Sequence, residues 1–195
     1  PYEATQMDFV PWEAPSSEHW LGVNSYGQDI FSQVVYGTRV TISVGILAGL
    51  LTSFIGIFVG LLAGYKGGKT GEILMRIVDV FLVIPTLAFM INLAAFLPSM
   101  GIVNLIIIIG ALNWLWMARS IRSQTLSEAR REYVDAAKAQ GMGTIEIMFK
   151  EILPNIIPVV TANMVMVVTQ AMLTEATLSF LGLGLPVSSI SWGSM

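Results

Sequence analysis

The sequence predicts an all-α membrane protein, a polytopic helical bundle in which four segments of this chain cross the bilayer. Of its 195 residues, 54% are hydrophobic and 12% are charged, and that charged fraction is about half of what a soluble domain carries. The mean hydropathy is +0.72. The charged residues are confined to a few polar segments between long uncharged runs, and runs of this length are typical of membrane-spanning helices.

The first long run, 40–65, has 26 residues without a charge. As a helix it would rise about 39 Å, which is enough to cross a hydrocarbon core of about 30 Å with some tilt. A short helix over about 28–36 is expected before it. Glycines spaced four apart, in one group of two and one group of three, predict a smooth strip against which a second helix packs closely. These glycines are Gly45, Gly49, Gly56, Gly60 and Gly64.

The second run, 80–118, is too long for one crossing and is interrupted by Pro-Ser-Met-Gly at 98–101. We expect a tight turn there, with Pro85 kinking the helix that precedes it. A last run of 23 uncharged residues is followed by Glu175. This carboxylate is expected to end its helix at the outer surface, where it either caps the bundle or lines an opening. The four expected crossings are 40–65, about 74–97, about 102–118, and 152–174.

The charge distribution predicts how the chain is oriented. Nine of the ten Lys and Arg residues fall in 66–76 and 119–150, and basic loops stay on the cytoplasmic side. Residues 1–38 carry five acidic side chains and no basic one, so they are expected outside. Because both ends lie in outer loops, a further crossing is expected beyond each end. The expected parts are an extracytoplasmic loop (1–38), a transmembrane domain (39–177) with a cytoplasmic loop (119–153), and a second extracytoplasmic loop (178–195).

The sequence contains few residues that could catalyse a reaction or bind a metal ion. It has no Cys, its one histidine, His19, is expected in an exposed loop, and it contains no catalytic motif, so neither an enzyme nor a metal site is expected. Segment 64–70 is superficially similar to a phosphate-binding loop, but Ala63 stands where that pattern requires glycine, so we interpret the segment as a basic turn. Asp79 is expected to pair with Arg76, three residues earlier.

The polar segment between the third and fourth crossings predicts a structured loop. Ser127 is a suitable N-cap for a helix over 128–140, which consists largely of strong helix-forming residues. Gly141 is expected to end this helix, and Thr144 to cap a second one that runs towards Pro154. A smooth face of the first helix is too weakly apolar to lie on lipid, so docking on a protein partner is preferred. That face groups Tyr133, Ala136, Ala137 and Gln140.

Several motifs resemble one family. The pattern Asp135-Ala-Ala137, three residues, Gly141, then Ile152-Leu-Pro154 resembles the EAA loop of ABC importer permeases, with Asp135 where that family usually has Glu. Further motifs, in the same order, resemble the second (C-type) permease subunit of dipeptide, oligopeptide and nickel importers. These motifs are Leu21-Gly22, Gly27–Ile30 with Gln28 in place of the usual Arg, Tyr36–Arg39, Arg76–Asp79, Ala118-Arg119 with Arg122, Glu132–Val134, Leu178–Gly184 and Ser191–Gly193.

The resemblance, which covers the chain from about residue 18 onward, implies partners and a mechanism. A permease of this kind (a type I ABC importer permease) has six crossings, of which this chain would hold the second to the fifth. It would pair with a related permease, two cytoplasmic ABC ATPases and an extracytoplasmic solute-binding protein, and would import peptides by alternating access across the cytoplasmic membrane of a prokaryote. ATP and Mg²⁺ would be used by the ATPases, and this chain would bind no cofactor. Docking on the ATPases is expected of Glu132, Tyr133, Asp135, Ala136, Ala137, Gly141 and Pro154.

Alternative functions stay open at this stage. One is a nickel-importer permease of the same family, and another is a membrane scaffold that docks a cytoplasmic protein without transporting anything. A self-contained secondary transporter is disfavoured, because no discontinuous helix is expected in the spans.

Overall fold

The apolar runs fold into helices that pack side by side. The computed structural model describes residues 2–96, 101–185 and 189–195. Their helices are α1 (Ile30–Lys66), α2 (Gly68–Val83), α3 (Thr86–Ala95), α4 (Ile102–Leu112), α5 (Trp114–Glu128), α6 (Glu132–Ala139), α7 (Thr144–Glu146), a π-helix (Ile147–Ile152) and α8 (Leu153–Phe180). Two continuous helical stretches, 30–66 and 144–180, are long and apolar enough to cross a membrane, and the number rises to four if the bent pairs α2/α3 and α4/α5 are one span each. The expected all-α bundle is confirmed.

The first span begins earlier than its uncharged run. Asp29 caps α1, because its carboxylate accepts a hydrogen bond from the backbone N–H of Ser32 at 2.7 Å. The short helix and the crossing that we expected separately are therefore one helix of 37 residues. This helix contacts α2, α4, α5 and α8. It ends where Gly67 and Gly68 adopt φ angles of +55° and +47°, which favour glycine.

Glycines bring α1 into close contact with two different helices. A Cβ added to Gly49 would lie 2.5 Å from Cγ2 of Val168 in α8, and one added to Gly60 would lie 2.7 Å from Cβ of Ile121 in α5. The strip is divided accordingly, with its N-terminal part against α8 and its C-terminal part against α5. The other members are Gly45, which faces α8, and Gly56 and Gly64, which face α5.

Two of the spans are bent where the sequence interrupts a regular helix. Ile84 and Pro85 separate α2 from α3, which lie at 77° to each other. Proline has no N–H and disfavours helical conformation in the residue before it, so the kink expected at Pro85 is confirmed. A second break at Asn113 bends α4 from α5 by 41°. The expectation of spans without a discontinuous helix is wrong. Of the turn expected at 98–101, residues 98–100 lie outside the described part of the chain.

The polar segment begins its helix later than expected. α5 continues through Ser127 to its end at Glu128, so Ser127 does not act as an N-cap. The reason lies in tertiary packing, since Thr125 is buried against Gly64 of α1 and holds this end of α5 in helical conformation. α6 begins only at Glu132.

The last span begins earlier and ends later than expected. Gly143 is the N-cap of α7, so Thr144 is the first helical residue rather than the cap. From Thr144 the helical stretch continues through the π-helix and α8 to Phe180. Glu175 does not end the span, because its side chain is buried inside the bundle and the helix continues past it.

Glu175 is the centre of a buried polar cluster at one end of the bundle. Its Oε2 accepts a hydrogen bond from Thr41 Oγ1 at 3.0 Å, and its Oε1 accepts one from Ser179 Oγ at 2.7 Å. Thr41 Oγ1 in turn accepts a hydrogen bond from the backbone N–H of Trp192 at 3.2 Å. The cluster therefore ties α1, α8 and residues 189–195 together.

Asp79 forms its ion pair between helices rather than within one. Its carboxylate bonds to the guanidinium of Arg119 in α5, and the pairing expected with Arg76 is wrong. Because α2 packs on α5, the opposite charge on the neighbouring helix comes within reach. The guanidinium of Arg119 also lies 5.8 Å from the ring centroid of Trp116.

The segment before α1 folds around His19, which is not the exposed loop residue that we expected. The residue is 3% exposed, and its Nδ1 lies 2.9 Å from Asp29 Oδ1. The rings of Tyr2 and Phe9 have centroids 5.1 and 4.4 Å from that of the imidazole. Burial raises the pKa of Asp29, but hydrogen bonds from Ser32 and His19 outweigh this effect and leave the pKa below its ordinary value.

Candidate functional site

α6 is a helix of eight residues that is fixed to the end of the bundle by one face. Val134 is fully buried and Ala137 is 4% exposed. Both belong to a hydrophobic cluster with Ile121 of α5 and with Ile147 and Met148 of the π-helix. α6 therefore packs on the π-helix that leads into α8 and shares its apolar cluster with α5.

Gly141 ends α6 with a specific backbone conformation. The N–H of Met142 donates to the carbonyl of Ala137 at 3.2 Å, and the N–H of Gly141 donates to that of Lys138 at 3.0 Å, which is the Schellman pattern. Gly141 has a φ angle of +81°, and a residue with a Cβ adopts this conformation at a cost of about 1–2 kcal/mol. A Cβ at this position would meet no atom of the described chain within 4 Å. The glycine is thus required by the turn and not by crowding within this chain.

The side of α6 that faces away from the bundle carries acidic side chains, one basic side chain and small alanine side chains. The carboxylate of Asp135 is 70% exposed and accepts a hydrogen bond from Lys138 Nζ at 2.9 Å. This bond raises the pKa of Lys138. The Lys138 ammonium also lies 5.9 Å from the ring centroid of Tyr65, near the end of α1. The exposed residues of the helix and its C-cap are Glu132, Asp135, Ala136, Lys138, Ala139 and Gln140.

The smooth face expected on this helix is divided between the two sides. Ala136 and Gln140 are exposed, whereas Ala137 is buried within the bundle. Val134 and Ala137 are three residues apart and so share one face of the helix, but helical periodicity does not show that this face is the buried one. Its apolar partners lie in the π-helix, which is brought against α6 only by folding. Ala137 therefore supports α6 from inside and is not part of its exposed surface.

Tyr133 links α6 to the end of α5. Its hydroxyl donates a hydrogen bond to Glu128 Oε2 at 3.0 Å. Burial and the adjacent Glu128 carboxylate raise the pKa of Tyr133 to about 12, so the phenol remains protonated and keeps donating near neutral pH. The short connection between the two helices is thereby fixed by a side-chain bond as well as by the backbone.

Pro154 lies where the π-helix passes into α8. As the second residue of α8 it has no N–H to donate to the carbonyl of Lys150. The six residues before α8 adopt the wider π-helical pattern, which is often found as a local bulge. The ammonium of Lys150 bonds to the Glu146 carboxylate at 2.7 Å and spans the start of this wider turn. Pro154 therefore lies where the π-helical pattern changes to the α-helical pattern at the start of α8.

A cavity of about 510 Å³ lies beside the two helix breaks. The sequence does not predict this cavity, because its residues come from five helices. The one local sign of it is the presence of amide side chains, at Asn113 and Gln170, in otherwise apolar runs. Apolar residues such as Met90 and Trp116 complete the lining. The polar lining residues, all uncharged, are Thr86, Asn113, Gln170, Thr174 and Thr177.

Comparison with known proteins relates this architecture to a transport family. Residues 56–195 match the family described as "Binding-protein-dependent transport system inner membrane component". The chain is 40% identical over 181 residues to the oligopeptide transport system permease protein OppC of Bacillus subtilis (strain 168), covering 93% of this chain and 59% of that protein. It is 39% identical to the dipeptide transport system permease protein DppC of the same organism, covering 93% of this chain and 56% of that protein.

A third relative is the oligopeptide transport system permease protein OppC of Escherichia coli (strain K12). It is 41% identical over 184 residues, covering 93% of this chain and 61% of that protein. The chain thus spans about three fifths of the length of these relatives. The resemblance to importer permeases is confirmed, and the chain belongs to the family of binding-protein-dependent transport system inner membrane components.

Proposed function

We propose that this chain is a membrane subunit of an ATP-driven importer that carries peptides across a bacterial cytoplasmic membrane. The family description refers to binding-protein-dependent transport. The relatives described above are permease proteins of oligopeptide and dipeptide systems, which favours peptides over nickel as the cargo. In this proposal the chain catalyses no reaction and binds no cofactor, and ATP with Mg²⁺ is used by partner ATPases.

The proposed orientation follows from the distribution of charge. The basic segments 66–76 and 119–150 face the cytoplasm, and 1–38 and 178–195 face the outside, where a solute-binding protein delivers the cargo. In support, Lys138 of the second basic segment lies at the end of α1 that leads into the first, since its ammonium is 5.9 Å from the ring centroid of Tyr65. The acidic N-terminal segment precedes the opposite end of α1.

The observation that carries the proposal is the two-sided environment of α6. One face is buried in a cluster shared with α5 and the π-helix, while Glu132 and Asp135 are exposed on the helix surface. A helix held in this way moves together with the spans on which it packs. Displacement of α6 by a closing ATPase would therefore reach the bundle directly, and the acidic side chains would pair with basic residues in the groove of the ATPase. A related permease would complete the pair of membrane subunits.

Charge reversal at the exposed surface of α6 tests this docking. Asp135→Lys should leave insertion in the membrane intact and weaken binding of the ATPases at least tenfold, about 1.4 kcal/mol, because like charges would then face each other. The measurements are co-purification of the ATPases and peptide import in the assembled transporter. Glu72→Lys is the matched control, since Glu72 is also exposed and lies in the other basic segment. If Asp135→Lys behaves like Glu72→Lys, α6 is not the docking helix.

A further inference from the structure

The cavity beside the helix breaks has five polar side chains among seven apolar ones, whereas a surface facing lipid would be apolar throughout. Asn113 and Gln170 contribute amide groups, and three threonines contribute hydroxyl groups. Polar side chains within spans are costly unless they face the protein interior or water. Interrupted backbone is likewise tolerated only where it is buried in protein or lines a water-filled space, and α2/α3 and α4/α5 are both interrupted beside this cavity. Two independent features therefore indicate a hydrated space.

The hydrogen-bonding groups of the cavity suit a peptide main chain. Thr174 and Thr177 donate their hydroxyl hydrogens to the carbonyls of Gln170 and Leu173, both at 2.8 Å, which leaves the hydroxyl oxygens free to accept. Asn113 Nδ2 is a buried donor with no partner in the described part of the chain. Each amide side chain offers both a donor and an acceptor. They complement the N–H and C=O groups that every peptide repeats, whatever its side chains are.

The same cavity has little net charge. None of the described residues that line it is charged. One turn further along α5 lies Arg119, but its charge is paired with that of Asp79. Glu175 follows the lining residue Thr174, but its carboxylate bonds to Thr41 of α1 and to Ser179. A solute in the cavity therefore meets neither strong attraction nor strong repulsion from fixed charges.

We propose, on the basis of the peptide-importer function above, that this cavity is the part of the solute path contributed by this chain. Asn113 and Gln170 are its specificity-determining residues and bond to the peptide main chain. Because the lining carries no fixed charge, peptides with acidic and with basic side chains pass at comparable rates.

The absence of cysteine from the sequence allows a test in the assembled transporter. Gln170→Cys introduces the one thiol of this sequence. After assembly with the partner subunits in proteoliposomes, methanethiosulfonate reagents attach either a trimethylammonium or a sulfonate group, so that opposite charges are placed at the same position in a folded protein. Initial import rates are then measured for two tripeptides that differ only in having Lys or Glu at the middle position.

We expect the positive group to lower the ratio of Lys-peptide to Glu-peptide import about fivefold and the negative group to raise it about fivefold. Each change corresponds to about 1 kcal/mol at 1.4 kcal/mol per tenfold change. Ser43→Cys is the matched control, because Ser43 is exposed on α1 outside the cavity lining and close in sequence to Gly45, which packs on α8. Its modification should leave the ratio unchanged. The wild-type chain, treated identically, reports any thiols of the partner subunits.

The inference is overturned if the thiol at position 170 reacts with neither reagent in a complex that imports peptide. It is equally overturned if both charges shift the ratio in the same direction or not at all. Asn113→Cys provides a second position, so that assembly of either variant decides the question. Import of neither tripeptide by the untreated wild-type assembly would instead refute the peptide-importer function, and this inference with it.

Discussion

Replacing Gly49 with alanine should loosen the contact between α1 and α8. The new Cβ would lie 2.5 Å from Cγ2 of Val168, whereas carbon atoms in van der Waals contact are about 3.5–4.0 Å apart. Either the helices separate by roughly 1 Å or Val168 leaves its preferred rotamer. Overpacking of this kind costs about 1–3 kcal/mol. No hydrophobic gain offsets it in a bilayer, because lipid is as apolar as the helix surface.

A second substitution removes the atom that causes this clash. Val168→Ala deletes Cγ2 and leaves Cα and Cβ of residue 168 at 3.2 and 3.4 Å from the new methyl group, distances that a small helix shift relieves. The double variant G49A/V168A should therefore be about 1–2 kcal/mol more stable than the sum of the single effects predicts. Gly101→Ser is the control, because Gly101 is the N-cap of α4 with a φ angle of −86°, a position that favours serine at least as much as glycine, and an added Cβ would meet no atom of the described residues within 4 Å.

Thermal unfolding of the purified protein in detergent measures these effects. For a chain of this size, 1 kcal/mol corresponds to a change of about 2–4 °C in Tm. Gly49→Ala should lower Tm by roughly 2–12 °C, Gly101→Ser should not lower it, and the double variant should recover part of the loss. Strictly additive effects of Gly49→Ala and Val168→Ala would show that α1 and α8 do not pack as described.

Three other features give equally definite expectations. Gly141→Val should destabilise the end of α6 by about 1–2 kcal/mol, whereas Gly141→Asn should retain most of the stability because asparagine tolerates positive φ; equal rates of proteolysis at this turn in the two variants would contradict the conformational explanation. Glu175→Gln keeps an acceptor for the Thr41 hydroxyl and should unfold near the wild-type temperature, whereas Glu175→Leu removes that acceptor and should cost about 1–3 kcal/mol; matching unfolding midpoints would refute the role of this hydrogen bond. The pKa of Asp29 is depressed in the folded chain, so its contribution to stability is complete above the unfolded value of about 3.9 and is lost as the pH falls through the folded value. The Tm difference between wild type and Asp29→Asn should therefore shrink below about pH 4, and a constant difference from pH 7 to pH 3 would exclude the pairing of Asp29 with His19.

Run length and composition were sufficient to predict the helical spans, because backbone groups in lipid must bond within their own segment. They were not sufficient to predict where the helices begin and end. Serine at an N-cap contributes only about 1 kcal/mol, and the packing of Thr125 against Gly64 outweighs that preference near Ser127. Tertiary contacts also decide the place of Glu175. Its carboxylate predicted a position at the membrane surface, but inside the bundle it accepts hydrogen bonds from Thr41 and neighbouring groups.

The candidate sites likewise divide into those set by local sequence and those set by tertiary contacts. α6 and the turn at Gly141 were predictable, because helix-forming residues, a terminal glycine and a polar surrounding are local features of the sequence. The partner of Asp79 and the burial of His19 were not, because both depend on which elements meet in space. The cavity was the least predictable site, because two helix breaks and five helices form it together. The periodicity of a single run does not indicate how these helices assemble.

Direct backbone contact along α1 has a mechanical consequence. The position of a Cβ on Gly60 lies 2.8 Å from the carbonyl oxygen of Ala118, so no layer of flexible side chains separates the two helices there, and close-packed interfaces transmit strain instead of absorbing it. α1, α5 and α8 consequently form a stiff wedge. α4 packs on the same wedge, since a Cβ on Gly110 would lie 2.6 Å from Cδ2 of Leu51 in α1, whereas α3 is separated from α2 by the discontinuity at 84–85. We therefore expect deformation during a change of shape to be concentrated at 84–85, which borders the chamber that the cargo is proposed to enter.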